Sequence, residues 1–170
     1  DAVWKAGAEG RWSRELLGAA LSRTDSLQGL SVQDGRPQAL AEGDEIARIA
    51  QDPAAYMIEY NDGTHATLLM LNGVLADYNL AVRVQGRPDP LSMQFLLPPT
   101  PNVAYSAPFM NYVARMFETG RAAYPVERTM LVCGMLESCL DSRMAGGKPL
   151  DTPFLAVRYE SPRESLFART

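Results

Sequence analysis

The fold class is decided by residues 125–159, PVERTMLVCGMLESCLDSRMAGGKPLDTPFLAVRY, which predict a long buried helix, a glycine stop and a short strand. Pro125 suits a helix start because the first turn has no use for its missing N–H. Gly146 and Gly147 are typical of the left-handed residues that close helices, and residues 154–159 resemble a strand. A helix this apolar has to lie between other elements. The stretch therefore predicts a packed α+β domain.

Upstream of this helix, the sequence predicts four antiparallel strands, at residues 54–60, 64–71, 74–85 and 91–97. Asn61, Asp62 and Gly63 mark the first turn, and Asn72-Gly73 is a strong hairpin signal because both residue types accept positive φ. We therefore expect an open, mostly antiparallel sheet with helices packed on one face.

Further helices are predicted at residues 10–24 and 42–51, with a short strand at residues 30–33. Apolar residues at helical spacing predict another helix that ends near Gly120, marked by Phe109, Val113, Met116 and Phe117. The predicted organisation is an N-terminal helical segment at 1–53, a domain of sheet, helices and closing strand at 54–160, and a tail at 161–170.

Composition and charge argue against a nucleic-acid-binding, membrane-spanning or secreted protein. The 170 residues are 46% hydrophobic and carry a net charge of −4, which argues against an electrostatic nucleic-acid binder. No apolar stretch has the length of a membrane span, and the chain opens with no signal-peptide pattern. Cys133 and Cys139 are six residues apart on one predicted helix and cannot bridge each other. These features favour a cytoplasmic protein that binds neither nucleic acid nor membrane.

The third and fourth strands alternate between apolar and polar residues, as in a sheet with one packed and one polar face. We expect the apolar face to be packed. The polar face presents Asp77, Asn79, Arg83, Ser92 and Gln94. It could bind a sugar or polyol, remain solvated, or meet a partner's sheet, so a homo-oligomer through the sheet face is one expectation.

The only histidine in the sequence, His65, lies in the second strand. A two-residue loop at Asn72-Gly73 would place it opposite Leu80 of the third strand, on the apolar face. On its other side, a three-residue first turn would place it opposite Glu59 of the first strand, and a two-residue first turn would break that pairing. A Glu59–His65 pair could transfer protons in a hydrolase or isomerase. A buried histidine satisfied by a neighbouring carboxylate would give the same pattern.

Several motifs of catalytic sites are missing from the sequence. It contains neither a G-x-G-x-x-G dinucleotide-binding turn nor a G-x-x-x-x-G-K-[ST] phosphate loop. With one histidine and no C-x-x-C, we predict no metal site. Glu137 and Asp141, four residues apart on one helix, could bind a cation or edge a solvated face. We therefore expect no cofactor in this chain.

The order of elements, with six short motifs in register, resembles a known family over residues 54–159. The motifs are EYNDGT (59–64), LLMLNG (68–73), FETG (117–120), PVERT (125–129), SRMAGG (142–147) and LDTPFLAVRY (150–159). The chain resembles the C-terminal domain of the Gfo/Idh/MocA oxidoreductases, the family of glucose–fructose oxidoreductase and inositol dehydrogenase.

The resemblance implies that this chain is the second half of a two-domain oxidoreductase, with NAD or NADP bound by a missing N-terminal domain. It implies substrate binding and dimerisation as the function, and an inactive isolated chain. No catalytic residue of the family is matched. The alternative is a stand-alone module that binds a small ligand or a protein and has no redox role.

Overall fold

The computed structural model describes residues 2–26, 45–95 and 103–161, and the chain divides into two compact units, Asp1–Leu97 and Pro98–Thr170. The first unit contains α1 (Ala2–Ala8), α2 (Arg14–Leu21), α3 (Glu45–Ile49), β1 (Ala54–Glu59), β2 (His65–Met70), β3 (Tyr78–Val82) and β4 (Leu91–Phe95). The second contains α4 (Val103–Thr119), α5 (Val126–Met144) and a 3₁₀ helix (Pro153–Leu155). This content confirms the α+β class. The predicted strand at residues 30–33 lies outside the described residues, and the predicted domain bounds stay a prediction.

The core of the first unit joins its helices to the turn after β2. Trp12 is central to it: its indole Nε1 donates a 2.9 Å hydrogen bond to the carbonyl of Val3, and its ring meets Trp4 edge-to-face at 6.1 Å. Gly7 lets the ring approach α1, because a Cβ there would lie 2.4 Å from a ring atom of Trp12. The fully packed residues are Ala6, Trp12, Leu17, Leu21, Ile46, Leu71 and Val74.

Helix α2 confirms the centre of the helix predicted at residues 10–24. Ser13 is its N-cap, and the Ser13 side chain accepts a hydrogen bond from the backbone N–H of Leu16. This bond satisfies one of the N–H groups that a helix leaves unpaired at its start. The buried side of α2 carries Leu17 and Leu21.

β1 and β2 form a hairpin with a three-residue turn. The backbone N–H of Tyr60 donates to the carbonyl of Thr64 at 2.9 Å, and Gly63 occupies the left-handed region with φ of 82°. Asp62 accepts a hydrogen bond from the backbone N–H of Thr64. The register therefore places Glu59 opposite His65, as predicted for a three-residue first turn.

The turn at Asn72-Gly73 does not continue into a second hairpin, so the predicted pairing of His65 with Leu80 is wrong. The four strands form two separate two-stranded antiparallel sheets, β1–β2 and β3–β4. Val74 donates to Leu71 across the turn, but of its two central residues Gly73 alone has positive φ. A two-residue hairpin of the type predicted needs positive φ at both central residues. Burial of Leu71 and Val74 in the helical core instead directs the chain away from β2.

Helix α5 begins and ends as its sequence predicts. Pro125 is the N-cap, and the C-terminus is closed by Gly146 and Gly147 with φ near 80°. The N–H of Gly147 donates to the carbonyl of Ser142 at 2.7 Å, and that of Gly146 donates to Arg143 at 3.1 Å. This pair of bonds is the Schellman motif, which satisfies carbonyls that the helix end leaves free.

Two expectations for residues 125–159 are wrong. Gly134 is the one buried residue of α5, whereas Val126 and Met144 are 74% and 86% exposed, so the helix is not covered on most sides. The predicted strand at 154–159 is replaced by the 3₁₀ helix, in which Leu155 donates its N–H to Thr152. Leu155 packs directly over Gly134, where an added Cβ would come within 2.3 Å of its Cδ2. The apolar residues at 154–159 correctly indicated a segment that packs on α5. They did not distinguish a strand from a 3₁₀ helix.

Candidate functional site

The polar face of the β3–β4 sheet, defined as Asp77, Asn79, Arg83, Ser92 and Gln94, lies against α2 and the segment that follows it. The antiparallel register sets Asn79 beside Gln94 on this face. Arg23, just after α2, donates from Nε to the hydroxyl of Ser92 at 2.9 Å. The helix therefore packs on the polar face, and the opposite, apolar face is the exposed one. This reverses the expected arrangement.

Asp77 is the centre of the hydrogen bonds on the polar face. Its Oδ2 accepts from the Thr24 hydroxyl at 2.5 Å, the backbone N–H of Asp25 at 3.2 Å and Nε2 of Gln94 at 2.9 Å. Its Oδ1 accepts from Nδ2 of Asn79 at 2.5 Å. Nε2 of Gln94 also donates to the Asp25 carboxylate at 3.0 Å. One carboxylate thus joins the segment after α2 to both strands.

The surroundings of Asp77 favour its charged form. Burial alone would raise the pKa of this carboxyl, but hydrogen bonds from Thr24, Ser26, Gln94 and Asn79 outweigh burial and lower the pKa to about 2. A carboxylate that accepts several hydrogen bonds is stabilised relative to its protonated form. Asp77 is therefore ionised near neutral pH and acts as a fixed acceptor.

Arg83 lies at the outer end of the polar face, where its guanidinium forms an ion pair and hydrogen bond with Glu15 of α2. Both side chains are about half exposed, so the pair adds little stability. The four residues proposed to bind a sugar or polyol, Asp77, Asn79, Arg83 and Gln94, are thus brought together on one face. The carboxylate of Asp77, the amide nitrogens of Asn79 and Gln94 and the guanidinium of Arg83 already bond within the chain, so a ligand there would have to replace those bonds. Among the described residues, the buried Oδ1 of Asn79 has no hydrogen-bond partner.

Glu59 and His65 face each other across β1 and β2, and both are exposed. Within the described residues, neither side chain has a hydrogen-bond or ion-pair partner. The alternative of a buried, satisfied histidine is therefore wrong. The strand register supplies the pairing that a proton-transfer site would need, and both side chains are open to solvent.

The residues considered for metal and thiol chemistry are dispersed. Glu137 and Asp141 lie one turn apart on an exposed part of α5, and no metal-binding group of three or more side chains is found across the described ranges. Cys133 and Cys139 are free thiols. Cys133 is exposed, whereas burial raises the pKa of the Cys139 thiol.

The apolar side of the β3–β4 sheet, which the sequence predicted to be packed, lies on the surface. The outer side of the β3–β4 sheet is formed by large apolar side chains that are between 41% and 65% exposed. We call it the apolar sheet face, and its members are Tyr78, Leu80, Leu91, Met93 and Phe95. Cross-strand pairing makes it continuous, since Tyr78 lies opposite Phe95 and Leu80 opposite Met93. A contiguous apolar patch of this kind is typical of an interaction surface.

Comparisons with protein-family models, with curated proteins and with solved structures each found no match for this chain. None of the helices in the described ranges combines the length and the hydropathy that crossing a bilayer requires.

Proposed function

We propose that this chain is an association domain that pairs with a second copy of itself through the apolar sheet face. In a longer protein it would be the substrate-binding and dimerisation half of an NAD(P)-dependent oxidoreductase of the Gfo/Idh/MocA type. The observation that carries the proposal is the exposure of five large apolar side chains on one side of β3–β4. The motif order along residues 54–159 supports the oxidoreductase assignment.

A second copy suits this surface because the apolar sheet face contains no charged side chain. The chain carries a net charge of −4, so two copies repel each other over most orientations. Face-to-face sheet packing at about 10 Å would bring only neutral groups together. A two-fold arrangement uses the same patch on both copies, which is the commonest symmetry of soluble oligomers.

The size of the patch predicts a weak dimer. Burying the remaining exposed area of five such side chains on each copy removes on the order of 1,000 Å² from water. That is close to the lower limit of about 1,200 Å² for stable interfaces, so we expect micromolar dissociation.

The remaining parts of the proposal concern the chemistry around this domain. The chain itself would bind neither NAD nor NADP and would turn over no substrate. A sugar or polyol would be the substrate of the complete enzyme, and the two unpaired cysteines suit a reducing compartment such as the cytoplasm. The alternative function is a stand-alone interaction module. Both hypotheses predict the dimer, and they differ in whether a nucleotide-binding domain accompanies this chain.

A charged substitution on the apolar sheet face tests the proposal. We expect Met93→Glu to abolish concentration-dependent dimerisation in sedimentation velocity, because two carboxylates would meet in an apolar interface. Met110→Glu on α4 is the matched control, since Met110 is 57% exposed and Met93 is 51% exposed. Equal dimerisation by Met93→Glu and the unmodified chain would contradict the proposal. Circular dichroism checks that both variants keep their helix content.

A further inference from the structure

The second unit contains a cavity of about 470 Å³ at the end of α4, where the chain turns towards α5. Its volume is within the range of about 300–1,000 Å³ that is usual for small-molecule sites. It is open to solvent, because every residue that lines it except Tyr112 is exposed. Two arginines line it, together with aromatic, hydroxyl and small side chains: Tyr112, Arg115, Thr119, Arg121, Ala122 and Ala123. No motif in the sequence predicts this site. The two arginines are six residues apart and lie on either side of a helix end, so helical periodicity does not relate them.

Local hydrogen bonds hold the backbones of both arginines. The hydroxyl of Thr119 donates to the carbonyl of Arg115 at 2.6 Å and accepts from the N–H of Arg121 at 3.3 Å. Gly120, with φ of 66°, ends α4, and its N–H donates to the carbonyl of Met116. One hydroxyl thus fixes the backbone on both sides of the turn, and Ala122 and Ala123 leave the space open.

The charge of this cavity is unbalanced. Within the described residues, neither Arg115 nor Arg121 forms an ion pair, whereas Arg83 pairs with Glu15 in the other unit. Next to the cavity, Arg128 lies over the ring of Tyr124 at 4.4 Å and so has a partner of its own. The two cavity arginines therefore keep their donor groups available to a ligand.

Two guanidinium groups favour a doubly charged anion. Each presents planar pairs of N–H donors that match the oxygens of carboxylate or phosphate. The end of α4 carries a partial negative charge of about half an electron, which opposes an anion. Two full positive charges outweigh it, and a dianion gains more from them than a monoanion does.

We propose that this cavity binds a small dianionic oxyanion, either a phosphate or a dicarboxylate, between the guanidinium groups of Arg115 and Arg121. The site is independent of the apolar sheet face and of any redox role. A neutral sugar would gain little from it. The charged end of the ligand is what the cavity recognises.

Isothermal titration of the full chain with inorganic phosphate and, separately, with succinate tests the proposal. We expect saturable binding of at least one of them, with a Kd of about 1 mM or below, weakened by added NaCl. Binding of phosphate alone, succinate alone or both would define the oxyanion class. Absence of saturable binding by either anion would overturn the proposal.

Variants locate the site. Arg115→Gln and Arg121→Gln should each weaken binding by about tenfold, and Arg115→Lys by less, because lysine keeps the charge but lacks the planar fork. Arg87→Gln is the control, since Arg87 is an exposed arginine in the β3–β4 loop of the other unit. Binding that is equal in the unmodified chain, Arg115→Gln and Arg121→Gln would show a diffuse surface effect and contradict the site. All three positions are exposed, so folding is expected to be retained in the four variants.

Discussion

The hydroxyl of Thr24 donates a 2.5 Å hydrogen bond to Oδ2 of Asp77, and this bond connects the segment after α2 to the start of β3. The same carboxylate oxygen accepts from Gln94 on β4. Because these bonds hold α2 against the polar side of the sheet, the apolar side remains at the surface. The orientation of the hairpin, and with it the proposed association surface, therefore depends on Asp77.

Asp77→Asn should lower the free energy of unfolding by about 1–2 kcal/mol, because the amide loses the charge and turns N–H donors towards other donors. Asp89→Asn, in the exposed β3–β4 loop, is the control and should leave stability unchanged. Urea denaturation at pH 7 measures both. Equal stability of the two variants would show that the Asp77 bonds do not hold the hairpin.

The contribution of Asp77 should depend on pH in a defined window. Its pKa is about 2 in the folded chain and 3.8 as the ordinary value, so folding favours the ionised form. The stabilisation is therefore complete above pH 3.8 and is lost as the pH falls towards 2. The difference in urea midpoint between the unmodified chain and Asp77→Asn should shrink over this window. A difference that stays constant from pH 6 to pH 2 would contradict the low pKa.

Gly7→Ala should destabilise the first unit by about 1–3 kcal/mol, although alanine is the better helix former. The added methyl group would lie 2.4 Å from the rigid, buried ring of Trp12. Thermal unfolding followed by tryptophan fluorescence measures the effect. The same substitution in a Trp12→Phe background should cost less, because the smaller ring leaves room. Equal costs in both backgrounds would show that the ring is not the cause.

Titration of the isolated chain with NADH or NADPH should give no saturable change in nicotinamide fluorescence. The sequence lacks the glycine-rich turn that brings a pyrophosphate against a helix N-terminus. Bovine serum albumin at equal concentration controls for nonspecific signal. Saturable binding at micromolar concentration would contradict the proposal that NAD or NADP is bound by a separate domain and not by this chain.

Local signals in the sequence predicted much of the secondary structure. The Asn61-Asp62-Gly63 turn and the Gly146-Gly147 stop are encoded by residues that favour positive φ, and both are found where expected. Alternation along β3 and β4 also grouped the correct side chains on each face. These properties depend on neighbours in the sequence, so a pattern of a few residues is sufficient.

The errors arose where distant contacts decide the outcome. The Asn72-Gly73 pair allows a hairpin, but Leu71 and Val74 are buried against the helices of the first unit. That contact joins residues far apart in the sequence, so local patterns do not predict it. Alternation identifies two faces without saying which one another element covers, and Thr24 and Gln94 determine that choice through Asp77. The cavity arginines follow no known spacing, so only the turn at Gly120 brings them together.

Sedimentation equilibrium of the unmodified chain over micromolar to submillimolar concentrations tests the central claim most directly. The account predicts that the weight-average mass rises from 18.6 kDa towards twice that value, with no larger species at the plateau. A mass that stays at 18.6 kDa over the whole range would contradict self-association through the apolar sheet face.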